Sequence, residues 1–248
     1  MQNMFNNCSS LNELDVSKWD TSSVTSLFGT FQNCSGLITL NVSNWNTSKV
    51  TECGHNYWGY GGTFQECSSL EELDVSNWDV SQVIDMTNMF YGCSKLTELD
   101  VSKWDTSKNT SISNLFKNCS SLTKLDVSNF DTSKVINMEG MFNGCINLIM
   151  LDLSSFNTSN VKNINAMFYR TSNLETIYVS EYNEGDKTGW TTLNVENSRI
   201  MFVGCQALTG GNGTTFDSNY TDGIYARIDT EEMPGYFTNI KDKFVDTE

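Results

Sequence analysis

The chain has a single proline, Pro234, and a single histidine, His55, so imidazole chemistry is confined to one position. Basic residues are scarce: fifteen Lys and Arg stand against thirty Asp and Glu, a net charge of −15. That balance disfavours nucleic acid and anionic membranes as partners and leaves calcium or basic partners open. No apolar run approaches the roughly 20 residues of a membrane span, and no charged-then-apolar leader opens the chain, so membrane insertion is not expected. Clustered Cys-x-x-Cys spacing is missing, which removes the usual zinc site.

What is present is a repeat. Phenylalanine followed three residues later by cysteine recurs at Phe5/Cys8, Phe31/Cys34, Phe64/Cys67, Phe90/Cys93, Phe116/Cys119, Phe142/Cys145 and Phe202/Cys205. Phe168 continues the series with Thr171 in the cysteine position. The period is 26 residues, lengthened by seven near 52–62 and by eight around 181–190. Self-similarity of this kind defines a stack of supersecondary units growing along one axis, not a domain with one central core.

Within each unit, Glu13-Leu14-Asp15-Val16-Ser17 and its counterparts at 72–76, 98–102 and 124–128 alternate apolar and polar residues with period two. This is the pattern of a half-buried strand with Leu and Val inward. An aromatic follows (Trp19, Trp45, Trp78, Trp104, Phe130, Phe156), placed to stack along the array. Next come Asp or Asn and Ser or Thr, residues suited to a bend because their side chains bond nearby backbone N–H groups. The last third carries Met-Phe and then Cys, spacings that fit a short helix or 3₁₀ turn. After Thr209 this grammar ends in Gly210-Gly211-Asn212-Gly213 and Pro234. Residues 1–208 are therefore read as about eight coils, and 209–248 as a capping segment over the last coil. Because the chain opens inside a unit, at Met4-Phe5-Asn6-Asn7-Cys8, a fragment of something longer is expected.

The run LTKLDVSNFDTSKVINMEGMFNGC (122–145), with similar runs over roughly 4–208, resembles the BspA-type leucine-rich-repeat surface proteins of bacteria, also described as the lactobacillus surface-protein repeat. The tail at Leu208–Thr214 and Pro234–Thr238 looks like the segment that closes such arrays. The resemblance implies a right-handed α/β solenoid with a parallel β-sheet face, displayed extracellularly at a bacterial cell surface and acting in adhesion, without catalytic residues.

Candidate chemistry is weighed against the plainer structural reading. The cysteines all occupy repeat positions, and small buried unpaired thiols explain them, although a ladder of neighbouring coils does not forbid disulfides. Cys53 and His55 are too close in sequence to form a recognisable dyad, and Cys53 aligns with a core position. Asp15, Asn41, Asp74, Asp100, Asp126 and Asp152 form one outward row. It lacks the enclosing carbonyls of a calcium cage, and neighbouring serines can satisfy it. The Gly210–Gly213 run matches neither a calcium nonapeptide nor a phosphate loop.

The expected binding surface is the strand side, where Glu13, Thr39, Glu72, Glu98, Lys124, Met150 and Thr176 share one varying column. The aromatics Tyr57, Trp58 and Tyr60 of the first insertion and the segment Tyr182–Trp190 of the second are further candidates. The function expected is non-enzymatic recognition of a protein or glycan by a monomer, with no cofactor and no metal. A structural spacer and, more remotely, a hydrolase are the alternatives.

Overall fold

In the computed structural model, residues 1–54 and 61–244 are described. Regular secondary structure is sparse: β1 (Glu13–Leu14), β2 (Thr39–Leu40), β3 (Met150–Asp152), β4 (Thr176–Val179) and β5 (Thr238–Asn239), with 3₁₀ segments at Gly223–Tyr225 and Ile240–Phe244. These strands pair in parallel, and the antiparallel bridges among the described residues are the isolated ones at Asn183–Thr188 and Thr209–Thr215. β1 pairs with β2 through Glu13–Thr39 and Leu14–Leu40, and β4 lies between β3 and β5. Equivalent positions in neighbouring coils thus lie side by side, as a stack of repeats requires.

The strand face is interrupted. Thr39 still meets Glu72, but the segments at 98–100 and 124–126 carry no strand assignment. Their inward residues nonetheless keep the alternating pattern, with Leu99, Val101, Leu125 and Val127 buried. A second parallel ladder, not anticipated from sequence, runs through Ser26, Glu52, Asp85, Ser111, Asn137, Asn163 and Asn197. Its rungs include Met86 N–H to Ser111 O at 3.1 Å and Met138 N–H to Asn163 O at 2.9 Å. This ladder holds the coils together where the strand face does not.

On the third side, of the short helix or 3₁₀ turn expected, single turns closed by i→i−3 bonds form. Around each Phe-x-x-Cys unit, alternate N–H groups bond within the coil and to the next coil. Phe116 N–H donates to Met141 O (3.0 Å) and Asn118 N–H to Asn143 O (2.7 Å), while Lys117 N–H turns back to Asn114 O (3.2 Å). Such alternation requires residues in the left-handed region. The residue before each Cys, or before Thr171, has positive φ: Asn7, Asn33, Glu66, Gly92, Asn118, Gly144, Arg170 and Gly204. Asn and Gly visit this region at least cost, which accounts for the Asn-Cys and Gly-Cys pairs. These linked turns exclude a continuous helix, and among the described residues no α-helix forms.

Phe31, Phe64, Phe90, Phe116, Phe142, Phe168 and Phe202 are fully buried, and with Phe5 they stack at centroid spacings of 5.5 to 6.1 Å. Each is worth roughly 1.5–3 kcal/mol of burial. Beside this column the thiols form a hydrogen-bond ladder. Sγ of Cys67, Cys93, Cys119 and Cys145 donates to the Phe carbonyl of the preceding coil at 3.0–3.2 Å, and every cysteine is free. Thr171 departs from the pattern by donating to its own coil's Phe168 O at 2.7 Å. Trp45, Trp78 and Trp104 likewise send Nε1–H to Val16, Val42 and Val75 carbonyls of the preceding coil, each at 3.1 Å.

The C-terminal segment packs over the last coil. Tyr236 meets Phe202 edge-on at 5.0 Å, and Phe237 meets Trp190 edge-on at 4.9 Å. Its Gly-rich run wraps the buried Asp229 carboxylate, which accepts from the backbone N–H groups of Asn212, Thr214 and Gly235 and from Thr214 Oγ1. Burial works to raise the Asp229 pKa, and these hydrogen bonds outweigh it and hold the group below its ordinary value.

Candidate functional site

The strand side carries the predicted column. Glu13, Thr39, Glu72, Glu98, Lys124 and Met150 are all exposed, and from Thr39 onward each is flanked by buried apolar residues that fix the frame, while Leu14 of the first coil is partly buried. Thr176 is half-buried, because β5 lies alongside β4 and the following 3₁₀ segment crosses that end. There Lys243 donates to Asp152 at 2.7 Å and lies 5.3 Å from the Tyr178 ring, closing the downstream end of the column.

Where the strand ladder lapses, the surface opens into a groove of about 860 Å³ lined by Glu71, Glu72, Asp74, Glu98, Asp100, Lys124 and Asp126 among others. The apolar pair Ile149 and Met150 is exposed one coil beyond. Acidic side chains thus dominate the middle of the face, with an apolar patch downstream.

The aspartates of the outward row are engaged locally. Asp15, Asp74, Asp100 and Asp126 each accept from the N–H and Oγ of the serine two residues on, and Asp152 accepts from Ser154 N–H. Hydrogen bonds from Ser17 and Ser102 hold the Asp15 and Asp100 carboxyls below their ordinary pKa. Among the described residues no group of three or more His, Cys, Asp or Glu side chains converges as a metal site requires. The thiols are equally passive: burial pushes Cys53 and Cys145 up to about 12, far from a nucleophile's range.

Of the insertion residues, Tyr57, Trp58 and Tyr60, with His55, lie outside the described residues. In the second insertion, Trp190 is not available for recognition. It is buried, donates Nε1–H to Ala226 O at 2.8 Å and occupies the aromatic position that runs from Trp19 to Phe156. The eight additional residues precede the aromatic and displace it, so sequence reading ended the column one coil too early. The left-handed positions were also missed, although the Asn or Gly before most of the cysteines was a legible signal.

The geometry defines a stacked-coil repeat protein with an exposed variable face. The chain belongs to the family described as "Mycoplasma protein of unknown function, DUF285", whose model matches residues 1–60, 59–182 and 110–222. No curated protein matches it. Among solved structures, a leucine-rich repeat protein from Bacteroides ovatus is similar at 17% identity, with a TM-score of 0.40, over 85% of this chain. The chain spans 57% of the length of that protein. Among the described residues no helix is long and apolar enough to cross a membrane.

Proposed function

We propose that this chain is a non-enzymatic recognition module, a right-handed 26-residue-repeat solenoid of the leucine-rich type closed by a C-terminal cap. It works as a monomer at a bacterial cell surface, where its strand face contacts a partner protein on a host or neighbouring cell. The observation that carries this reading is the exposed column from Glu13 to Met150, whose chemistry changes from coil to coil while the Leu and Val positions beside it stay apolar and buried. A constant frame with a varying outward row supplies specificity without altering the fold. The acidic groove calls for a partner segment rich in Lys or Arg, and Ile149 with Met150 offers an apolar contact beside it.

The test is binding of the purified chain to a panel of extracellular matrix and bacterial surface proteins, compared with the double variant Glu72→Lys, Glu98→Lys. A saturable interaction that weakens with salt and disappears in the variant supports the reading. Absence of any interaction at micromolar concentration, or binding indifferent to the charge reversal, sinks it in favour of a spacer role.

A further inference from the structure

A second groove, of about 750 Å³, lies on the turn side of the stack and is a different surface from the strand face. It crosses consecutive coils, which are spaced by about 4.8 Å, and its first two coils contribute the same Asn and Ser positions. Its walls include Asn7, Asn33, Ser35 and Ser68, with Glu66 and Tyr91 farther along. The amides are linked across coils, as Asn33 Nδ2–H donates to Asn7 Oδ1 at 2.8 Å. Beneath them Phe31, Phe64, Phe90 and the thiols beside them are completely buried, so the floor offers no apolar pocket for a peptide side chain. Lys117, whose Nζ lies 5.1 Å from the Tyr91 ring, is the only cationic residue of the lining.

Glu66 is the informative departure. Its φ is 59°, in the position that holds Asn or Gly in most other coils. A glutamate pays on the order of 1–2 kcal/mol for this conformation, as Arg170 does at the equivalent position four coils on. Its carboxylate lies against the next coil's Gly92, where an added Cβ would come within 2.6 Å of Glu66 Oε2. The same contact recurs where a Cβ on Gly144 would come within 2.3 Å of Asn118 Oδ1, so a glycine under the preceding coil's side chain belongs to the stack, and the carboxylate is what is particular to this coil. Strain of this kind is kept where a side chain is used.

The geometry points to a binding site for a neutral, linear oligosaccharide lying along the solenoid axis. Rungs of Asn and Ser donate to and accept from successive sugar hydroxyls, the Glu66 carboxylate accepts from a pair of hydroxyls on one residue, and the Tyr91 ring packs against the ring carbons. An anionic glycan is disfavoured by Glu66 and by the net charge of −15.

The test is an array of neutral, sialylated and sulfated glycans probed with the full chain, followed by titration of each hit. At least one neutral linear glycan binds saturably. Glu66→Gln and Tyr91→Ala each weaken it by about tenfold or more, the loss expected for a hydrogen bond to a charged group or an aromatic contact. The strand-face variant Glu72→Lys, Glu98→Lys binds it unchanged, so failure here and failure of the protein-binding reading are separable. Glu66→Asn, which suits the left-handed backbone, raises the melting temperature while weakening the glycan as much as Glu66→Gln does. A purely structural role for Glu66 would raise stability and leave binding intact. The proposal is overturned if no neutral glycan binds, if only charged glycans bind, or if binding survives both Glu66→Gln and Tyr91→Ala.

Discussion

Asn109 occupies a core position that is Val50, Val83, Val135 and Val161 in other coils, and it is completely buried. Its Nδ2 donates to Val83 O across the coil boundary, but its Oδ1 has no hydrogen-bond partner. Asn109→Val removes a stranded acceptor whose desolvation costs about 1–3 kcal/mol. It also buries an apolar side chain of similar volume, for roughly 1.5 kcal/mol more. Against this stands the loss of one amide hydrogen bond, about 1 kcal/mol, which leaves Val83 O in the same situation as the corresponding carbonyls elsewhere in the stack. The net expectation is stabilisation by about 1.5–3.5 kcal/mol. For a chain of this size that is a rise in melting temperature of roughly 3–14 °C. Urea and thermal unfolding followed by circular dichroism read the effect, with Asn109→Ala as the control that removes the amide but leaves a cavity. The reasoning is refuted if Asn109→Val, with an unchanged spectrum, unfolds at or below the wild-type midpoint.

Three further outcomes are expected. Cys53, Cys93, Cys119 and Cys145 have pKa values raised by burial, so the stability they contribute is complete below the unfolded thiol value of about 8.5 and drains as pH climbs towards their folded values. Melting temperature should fall steeply above about pH 9, and a thiol reagent at neutral pH should label only the half-buried Cys8 before unfolding; rapid labelling of the buried thiols would contradict this. Asp229 has the opposite sign: its folded pKa is depressed, so its contribution is present above the unfolded value of about 3.9 and is lost as pH falls through the folded one. Asp229→Asn should lower the melting temperature at pH 7 and flatten its acid dependence, and an unchanged acid limb in the variant would show that other groups govern it. Ile200 is a β-branched residue at φ 49° with an exposed side chain, and Ile200→Gly should stabilise the chain by about 1 kcal/mol in the same unfolding assays, whereas a loss of stability would mean that its contacts outweigh its strain.

The amino-acid sequence by itself determined that the chain is a stack. The Phe-x-x-Cys period, the Leu-x-Val alternation and the aromatic that follows are interior positions, and an interior position tolerates only the side chain that fills it, so it prints through as a repeat. Glu13, Glu72 and Glu98 were legible as outward residues for the same reason, since period two leaves them no other direction. What only the tertiary structure decided lies between coils. The ladder through Ser26 and Asn197 is made of backbone groups that any residue carries, and side-chain pattern does not encode them. On the turn side Met-Phe-x-x-Cys spacing left a short helix or a 3₁₀ turn open, and the choice fell to single turns joined by left-handed residues whose N–H groups reach the next coil. Trp190 looked like an exposed insertion residue until packing placed it beneath Phe237. The groove at Glu66 joins side chains from several coils, and sequence separation hides such a neighbourhood until the coils are stacked.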